Sequence, residues 1–435
     1  MKIWTLPTHT VLFWCTLTFS GFGVSVSASE LNVEERWQAI ESQWEDRFEG
    51  HFGVELTDRS IDRDDVVEAF DRQLEETGRT SAVVYVIPND DNLELMLMTA
   101  TEEPMRWVFP DIDRETLISQ VRRLEVELTN PRRRRSDNYL EIGRELYDWI
   151  IAPLASELER QQIDTLIFCL GDGLRSMPLE VLYDGNQFLI ETYSISRIPG
   201  FNLFDTQPAD LRNGRVLAMG ASEFENLSPL PAIPVELASI VPRLWPGATF
   251  LNENFTVENL QRQRQQGDYN IVHLATHARF VSGDPSRSYI QFWRDSLSLS
   301  EMRALQWNDP PVELLVLSGC ETAQGDEEAE MGFAGLAVYA GVPSVVASLW
   351  TVSDTGAMLM MSEFYAQLKT APTKAEALRR TQLAALRGQL RFENPEVSGL
   401  HPPGTLVFSE LPNAENLDLS HPYQWAAFTI VGSPW

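Results

Sequence analysis

Residues 270–277 read NIVHLATH, and residues 313–320 read ELLVLSGC. Each is a short, nearly continuous apolar run, and each ends in a reactive side chain, His277 in the first and Cys320 in the second. A strand of a parallel sheet has this pattern, because helices cover both of its faces. The same signature recurs in RVLAMG (215–220), SVVASLW (344–350) and WAAFTIVG (425–432), and in shorter form in ATFL (248–251). Helical segments are predicted between these runs: PVELASIVPRL (234–244), TVENLQRQRQQ (256–266), EMGFAGLAVYAG (330–341), 354–368 and 374–388. Strands alternating with helices predict an α/β fold with a mainly parallel central sheet and helices on both faces.

Upstream, IDTLIFCL (163–170), GDGLRSMPLEVLYDG (171–185) and QFLIETYSIS (187–196) predict strand, loop and strand. SAVVYVIP (81–88) and residues 93–99 flank the turn residues Asn89 to Asn92, a hairpin pattern. Helices are predicted over 29–62, where Leu31, Trp37, Ile40, Trp44 and Phe48 recur at helical spacing, and over 64–77, 114–128 and 139–158. The last two are separated by the basic, turn-rich stretch NPRRRRSDN (130–138). Residues 389–421 are rich in Pro, Gly and Asn and read as a long surface loop. No repeat is visible.

The 435 residues are 43% hydrophobic, enough for one large domain or two ordinary ones. There are 34 Lys and Arg against 63 Asp and Glu, a formal charge of −29. That surface disfavours nucleic acid, whose phosphates require a basic footprint, and it disfavours anionic lipid. It attracts basic segments of a partner or substrate. Residues 1–28 read as a secretory signal: Lys2, an apolar stretch from Val11 to Val24 too short to span a bilayer comfortably, and small residues Val26-Ser27-Ala28 before a cut. The expectation is export to a periplasmic or extracellular space, without membrane attachment after cleavage; the alternative is an uncleaved anchor. Only Cys169 and Cys320 of the three cysteines then remain, too few for a disulfide framework.

In an open parallel sheet, reactive groups gather at the carboxyl ends of strands. If the strands carrying His277 and Cys320 are neighbours, their ends lie roughly 5 Å apart. An imidazole there can take the thiol proton or lower its pKa. Gly319 allows a tight turn at the strand end, and backbone N–H groups nearby face a developing oxyanion. Against this stands the ordinary account of a strand-end cysteine as an inert core residue. His273 lies on the same face by alternation, and a buried structural role is preferred for it. Cys169 ends another strand and reads as a core cysteine; a bridge to Cys320 would inactivate the site. No metal or cofactor motif is present: no HExxH, CxxC, GxxxxGK[ST] or dinucleotide fingerprint.

HLATHARF, LLVLSGCETAQGD, GVPSVVASLWTVSDTGAMLMMSEFYAQL and HPYQWAAFTIVGSPW, in this order, resemble the CHAT family of caspase-like cysteine peptidases. These are common in bacteria, often fused to helical repeats, and distantly related to separases and caspases. YLEIGRELYDWIIAPLASEL and the segment 163–196 extend the resemblance, so that it covers about Thr80 to Trp435. It implies a caspase-like three-layer fold and a His–Cys dyad of His277 and Cys320. In the caspase pattern a glycine follows the catalytic histidine; here it is Ala278, whose N–H can still donate to an oxyanion, together with Gly319. Asp354 lies in LWTVSD. Similarity to the WxVxD stretch of separases implies that it recognises a basic residue before the cut bond, whereas a helix cap is the plainer role. The acidic run at 326–330 would add negative field there, or is simply a solvated loop.

The resulting organisation is a signal (1–28), a helical segment (29–79), an N-terminal part of the CHAT domain (80–205) and a caspase-like core (206–435). The expected activity is a cysteine endopeptidase acting on a protein or peptide, with a partner docking through the helical segment. The alternative is a non-catalytic interaction module of the same fold. A serine hydrolase is disfavoured because no nucleophile elbow exists.

Overall fold

The computed structural model describes residues 32–133, 136–207, 209–281, 285–322, 327–393, 396–398 and 417–435. Residues 1–28, read above as a secretory signal, Arg134, Arg135, Asp326 and much of 389–421 lie outside the described residues.

The apolar runs become strands. In chain order they are β1 (Ser81–Asn89), β2 (Asn92–Thr99), β3 (Met105–Phe109), β4 (Thr165–Leu170), β5 (Ser194–Ile198), β6 (Val216–Gly220), β7 (Gly247–Leu251) and β8 (Ile271–Phe280). Then follow β9 (Tyr289–Gln291), β10 (Ser296–Ser298), β11 (Leu314–Thr322), β12 (Ser344–Ser348), β13 (Arg391–Glu393), β14 (Glu396–Ser398), β15 (Leu417–Asp418) and β16 (Phe428–Gly432). One 13-stranded sheet runs in the order β10-β9-β8-β11-β12-β16-β5-β4-β1-β2-β3, with β6 on β8 and β7 on β6. β7, β6, β8, β11 and β12 are parallel neighbours. β16 is antiparallel to β12 but parallel to β5, and so joins this block to the parallel run β5, β4 and β1. β1 and β2 form the expected hairpin, and β3 adds an antiparallel edge.

Every residue of β4, β6 and β12 is buried, as continuous apolar runs require when both faces are covered. The helices Ile233–Ile240, Asp354–Leu368 and Lys374–Leu386 supply part of that cover. On β1, alternate residues enter two cores. Ala82, Val84 and Val86 pack with Leu117, Val121 and Leu124 of the helix Arg114–Thr129. Val83, Tyr85 and Ile87 pack with Trp37, Ile40 and Trp44 of the helix Val33–Phe52 and with Phe70 of the helix Arg63–Thr77. Trp37 Nε1 donates to the Tyr85 hydroxyl (2.8 Å), which donates to Glu41 (2.6 Å). Glu41 also accepts the N–H groups of Phe201 and Asn202. The N-terminal helices therefore spend their apolar faces on this chain's own sheet.

Three boundaries differ from the sequence expectation for local reasons. The first helix stops at Phe52, because Gly53 adopts a left-handed conformation (φ 67°) and caps it. The helix predicted over 139–158 breaks after Ile150 and resumes at Ala155–Arg160; Pro153 lies in the gap and cannot donate to a helical ladder. The stretch 389–421 contains a small sheet, β14-β13-β15, where only a loop was expected. No described helix is long and apolar enough to cross a membrane.

Candidate active site

β8 and β11 are adjacent parallel strands, and their register changes at the place where the two candidate residues lie. Leu317 pairs with Leu274, but the next pair is Gly319 with His277, followed by Cys320 with Ala278. Ala275 and Thr276 thus oppose Ser318 alone, a β-bulge, which re-aims the strand beyond it. Gly319 is required here: a Cβ on it would sit 2.5 Å from the Thr276 carbonyl oxygen. Both residues lie inside strands, not past their ends, but the neighbouring strands end earlier. β6 pairs with β8 only through Ala275, and β12 pairs with β11 only at Leu315 and Val316. The carboxyl halves of β8 and β11 therefore stand beyond their parallel neighbours, as an open-sheet site requires. Ala278 is buried in β8, in register with Cys320 on one side and Ile290 of β9 on the other.

A loop that the sequence reading overlooked, residues 221–232 after β6, holds this end of the sheet together. His277 Nε2 lies 2.9 Å from the Ser228 carbonyl oxygen, and the Phe224 ring meets the imidazole edge-on at 4.9 Å. A carbonyl only accepts, so Nε2 carries the proton and donates, which leaves Nδ1 as the nitrogen available to act as a base. At the far end of the loop, the Ala232 N–H donates to Asp354 Oδ2 at 2.6 Å. Asp354 is the first residue of its helix, and the cap is Ser353, whose Oγ accepts from Gly356 N–H. Burial, offset in part by the Ala232 N–H and reinforced by Glu236, pushes the Asp354 carboxyl up to about 7. Below the loop, His273 is fully buried with Nε2 2.9 Å from Glu236 Oε1 and its ring against Tyr365.

The segment after Cys320 leads into the helix Glu327–Ala334, which a polar cluster ties to the β1–β5 half of the sheet. Ser176 Oγ lies 2.7 Å from Glu125 Oε1 and 2.7 Å from Glu330 Oε1, and all three side chains are buried. A hydroxyl carries one proton, so one carboxyl must be protonated to complete the pair. In agreement, burial pushes Glu125 up to about 7. Glu330 also accepts the Arg175 N–H, Arg175 pairs with Asp172 at 2.7 Å, and Arg114 Nη2 reaches Glu327 at 2.7 Å. This cluster comes from GDGLRSMPLEVL and two helices distant in sequence, and only its charged residues inside an apolar segment hinted at it.

A carboxyl raised in the folded state favours folding below its unfolded pKa, and that contribution is lost as pH rises through the folded value. Glu125 therefore removes on the order of 3 kcal/mol of stability between about pH 4.5 and about pH 7.5. Urea unfolding of wild type and Glu125→Gln at both ends of this window checks it. The expected result is a shallower pH dependence in the variant; equal slopes would show that Glu125 does not titrate there.

Cys169 is a free, buried cysteine of β4 within the core under the N-terminal helices. β11 lies four strand positions away, about 19 Å at ordinary strand spacing, beyond the roughly 7 Å that a disulfide can span. A bridge from Cys169 to Cys320 within the chain is thus excluded.

Comparison with known proteins agrees with this architecture. The fold is similar to a chain in the crystal structure of the Saccharomyces cerevisiae separase–securin complex at 2.6 Å resolution, with TM-score 0.50, 13% identity, and coverage of 91% of this chain and 34% of that one. A 3.0 Å structure of the same complex gives TM-score 0.48 and 12% identity over 85% of this chain and 31% of the other. This chain thus spans about a third of the length of the chains it matches. No curated protein matches the sequence. The family model described as CHAT domain matches residues 140–433, a narrower span than the resemblance from Thr80 onward, although β1 to β3 belong to the same sheet. With two thirds of its length in that match and a caspase-like α/β sheet at its centre, the chain belongs to the CHAT-domain family.

Proposed function

We propose that this chain is an exported cysteine endopeptidase in which Cys320 is the nucleophile and His277 its general base. One observation carries the reading: the β8–β11 register makes residues 277 and 320 diagonal neighbours on adjacent strands, about 6 Å apart between Cα atoms. The hydrogen bond from His277 Nε2 to the Ser228 carbonyl supports the assignment of roles, because it presents Nδ1 as the base. His277 Nδ1 takes the thiol proton as Sγ attacks the scissile carbonyl carbon. The imidazolium then protonates the leaving amine as the C–N bond breaks, and water hydrolyses the thioacyl-enzyme. The Gly319 and Ala278 N–H groups are the proposed oxyanion donors.

Asp354 is the proposed specificity carboxylate for a basic residue before the cut bond. It must be ionised to pair with a guanidinium, and its carboxyl titrates at about 7. Cleavage of Arg peptides relative to Leu peptides therefore increases as pH rises from about 6 to about 8. Asp354→Asn lowers kcat/KM on Arg peptides by about tenfold to a hundredfold and leaves Leu peptides unaffected. Fluorogenic peptides with Arg, Lys, Leu or Asp before the cut measure both effects. A flat ratio, or activity on Asp peptides alone, removes Asp354 from this role.

The structure similar in fold is that of a separase–securin complex, which motivates a protein partner here as well. A partner docking on the N-terminal helices would meet their polar outer face, since the apolar face is buried. Export rests on residues 1–28, and detection of a mature chain lacking them outside the producing cells tests it. A second reading, a non-catalytic module, draws on Ala278: it lies within β8 between β11 and β9, and is not a loop residue with a projecting N–H. Inactivity on every peptide, including after reduction, would favour that reading.

A further inference from the structure

A groove lies along the outer side of the helix Arg114–Thr129, and its charge is opposite to that of the chain. It encloses about 870 Å³ and is lined by Arg114, Arg122, Arg123 and Arg133, with Ile118 and Val126 between them. Four arginines in one groove are notable in a chain of net charge −29, whose general field repels anions. Three carboxylates, Asp90, Glu115 and Glu127, share the lining, and Glu127 pairs with Arg133. A ligand must therefore match a pattern of charges rather than a uniform basic surface.

We propose that this groove binds an acidic peptide segment of a partner protein and that occupancy is relayed to the helix following Cys320. Length favours a peptide over a small anion. Lining residues recur about every four positions from Arg114 to Val126, and that span measures about 18 Å along the helix. About five or six extended residues cover the same distance. Ile118 and Val126, the latter 48% exposed, offer apolar contacts that suit side chains and have no use for a phosphate. Guanidinium forks suit carboxylates, and each carries five donors, so Arg114 can meet a second carboxylate besides Glu327.

The relay has two arms. Arg114 grips Glu327 at 2.7 Å at the start of the helix after Cys320. Glu125, on the inward side of the groove helix, meets Glu330 through Ser176. A ligand that draws on Arg114 thus competes with a contact holding the helix after the nucleophile. Binding stands independently of the peptidase reading; only its effect on turnover rests on it.

The test is fluorescence anisotropy with a labelled hexapeptide alternating Glu with Leu or Val, on full-length Cys320→Ala protein. Saturable binding is expected, weakening several-fold between about 50 mM and about 200 mM salt. Arg122→Glu with Arg123→Glu should weaken it by about tenfold or more, and the milder Arg122→Gln with Arg123→Gln by less. Far-UV circular dichroism confirms that the variants fold, and hydrogen exchange across 327–334 should change on binding to wild type. Equal binding of a Gln-for-Glu peptide, or unchanged affinity in both variants, overturns the proposal. Binding of tripolyphosphate that displaces the peptide at equal or better affinity overturns the peptide assignment in favour of a small polyanion. Peptide binding without altered exchange overturns the relay. Binding with altered exchange in a chain that cleaves nothing would overturn the peptidase reading and leave this inference standing.

Discussion

Cys320→Ala is expected to abolish peptide hydrolysis, lowering kcat by at least about a thousandfold, because no other group replaces a thiolate nucleophile. Alanine keeps the β11 backbone, so folding should be unaffected. His277→Ala should give a comparable loss, because the two residues act as a unit and their effects do not add. The same protein tests self-processing. Arg132 lies in an exposed turn beside Arg133, and if the site takes Arg, wild type is cut within Arg132 to Arg135 while Cys320→Ala stays intact. Fluorogenic assays and intact mass spectrometry read both outcomes. Undiminished hydrolysis by Cys320→Ala would end the dyad reading, and identical fragments in both proteins would end self-processing.

Gly319→Ala is also expected to be strongly damaging, although it removes no reactive group. The added Cβ would meet the Thr276 oxygen at 2.5 Å and its carbon at 3.3 Å. Both are backbone atoms, so no side chain can move aside, and β8 and β11 must part by about 1 Å. A displacement of that size between reacting groups costs about a hundredfold in rate. The loss should fall on kcat more than KM, with about 1–3 kcal/mol of destabilisation. Gly50→Ala is the matching control: it lies within a helix with nothing within 4 Å of the added Cβ, and should be neutral or slightly stabilising. Full activity in Gly319→Ala would mean that the bulge does not set the geometry.

The strands that carry His277 and Cys320 were legible because each is a continuous apolar run, as parallel strands covered on both faces are. The hairpin of β1 and β2 was legible from its turn residues. β3, β9 and β10 were not: they are short strands of mixed polarity at or next to the sheet edges, and β9 and β10 have three residues each. Nor was the polar cluster around Ser176, whose members are contributed by three separate segments and look like ordinary surface charges until the fold buries them.

The sequence alone determined the α/β architecture, the family and the identity of the two candidate reactive residues, because these depend on local periodicity and on ordered motifs. Tertiary structure decided what surrounds those residues. The bulge opposite Ser318 exists only when β8 meets β11. The proton on His277 Nε2 follows from a carbonyl 49 residues earlier in the chain, and the raised Asp354 carboxyl from burial beside Ala232, 122 residues away. Cys169 and Cys320 are kept apart by four strand spacings. Hydrogen bonds, burial and close backbone approach act through space, so no local pattern in the chain records them.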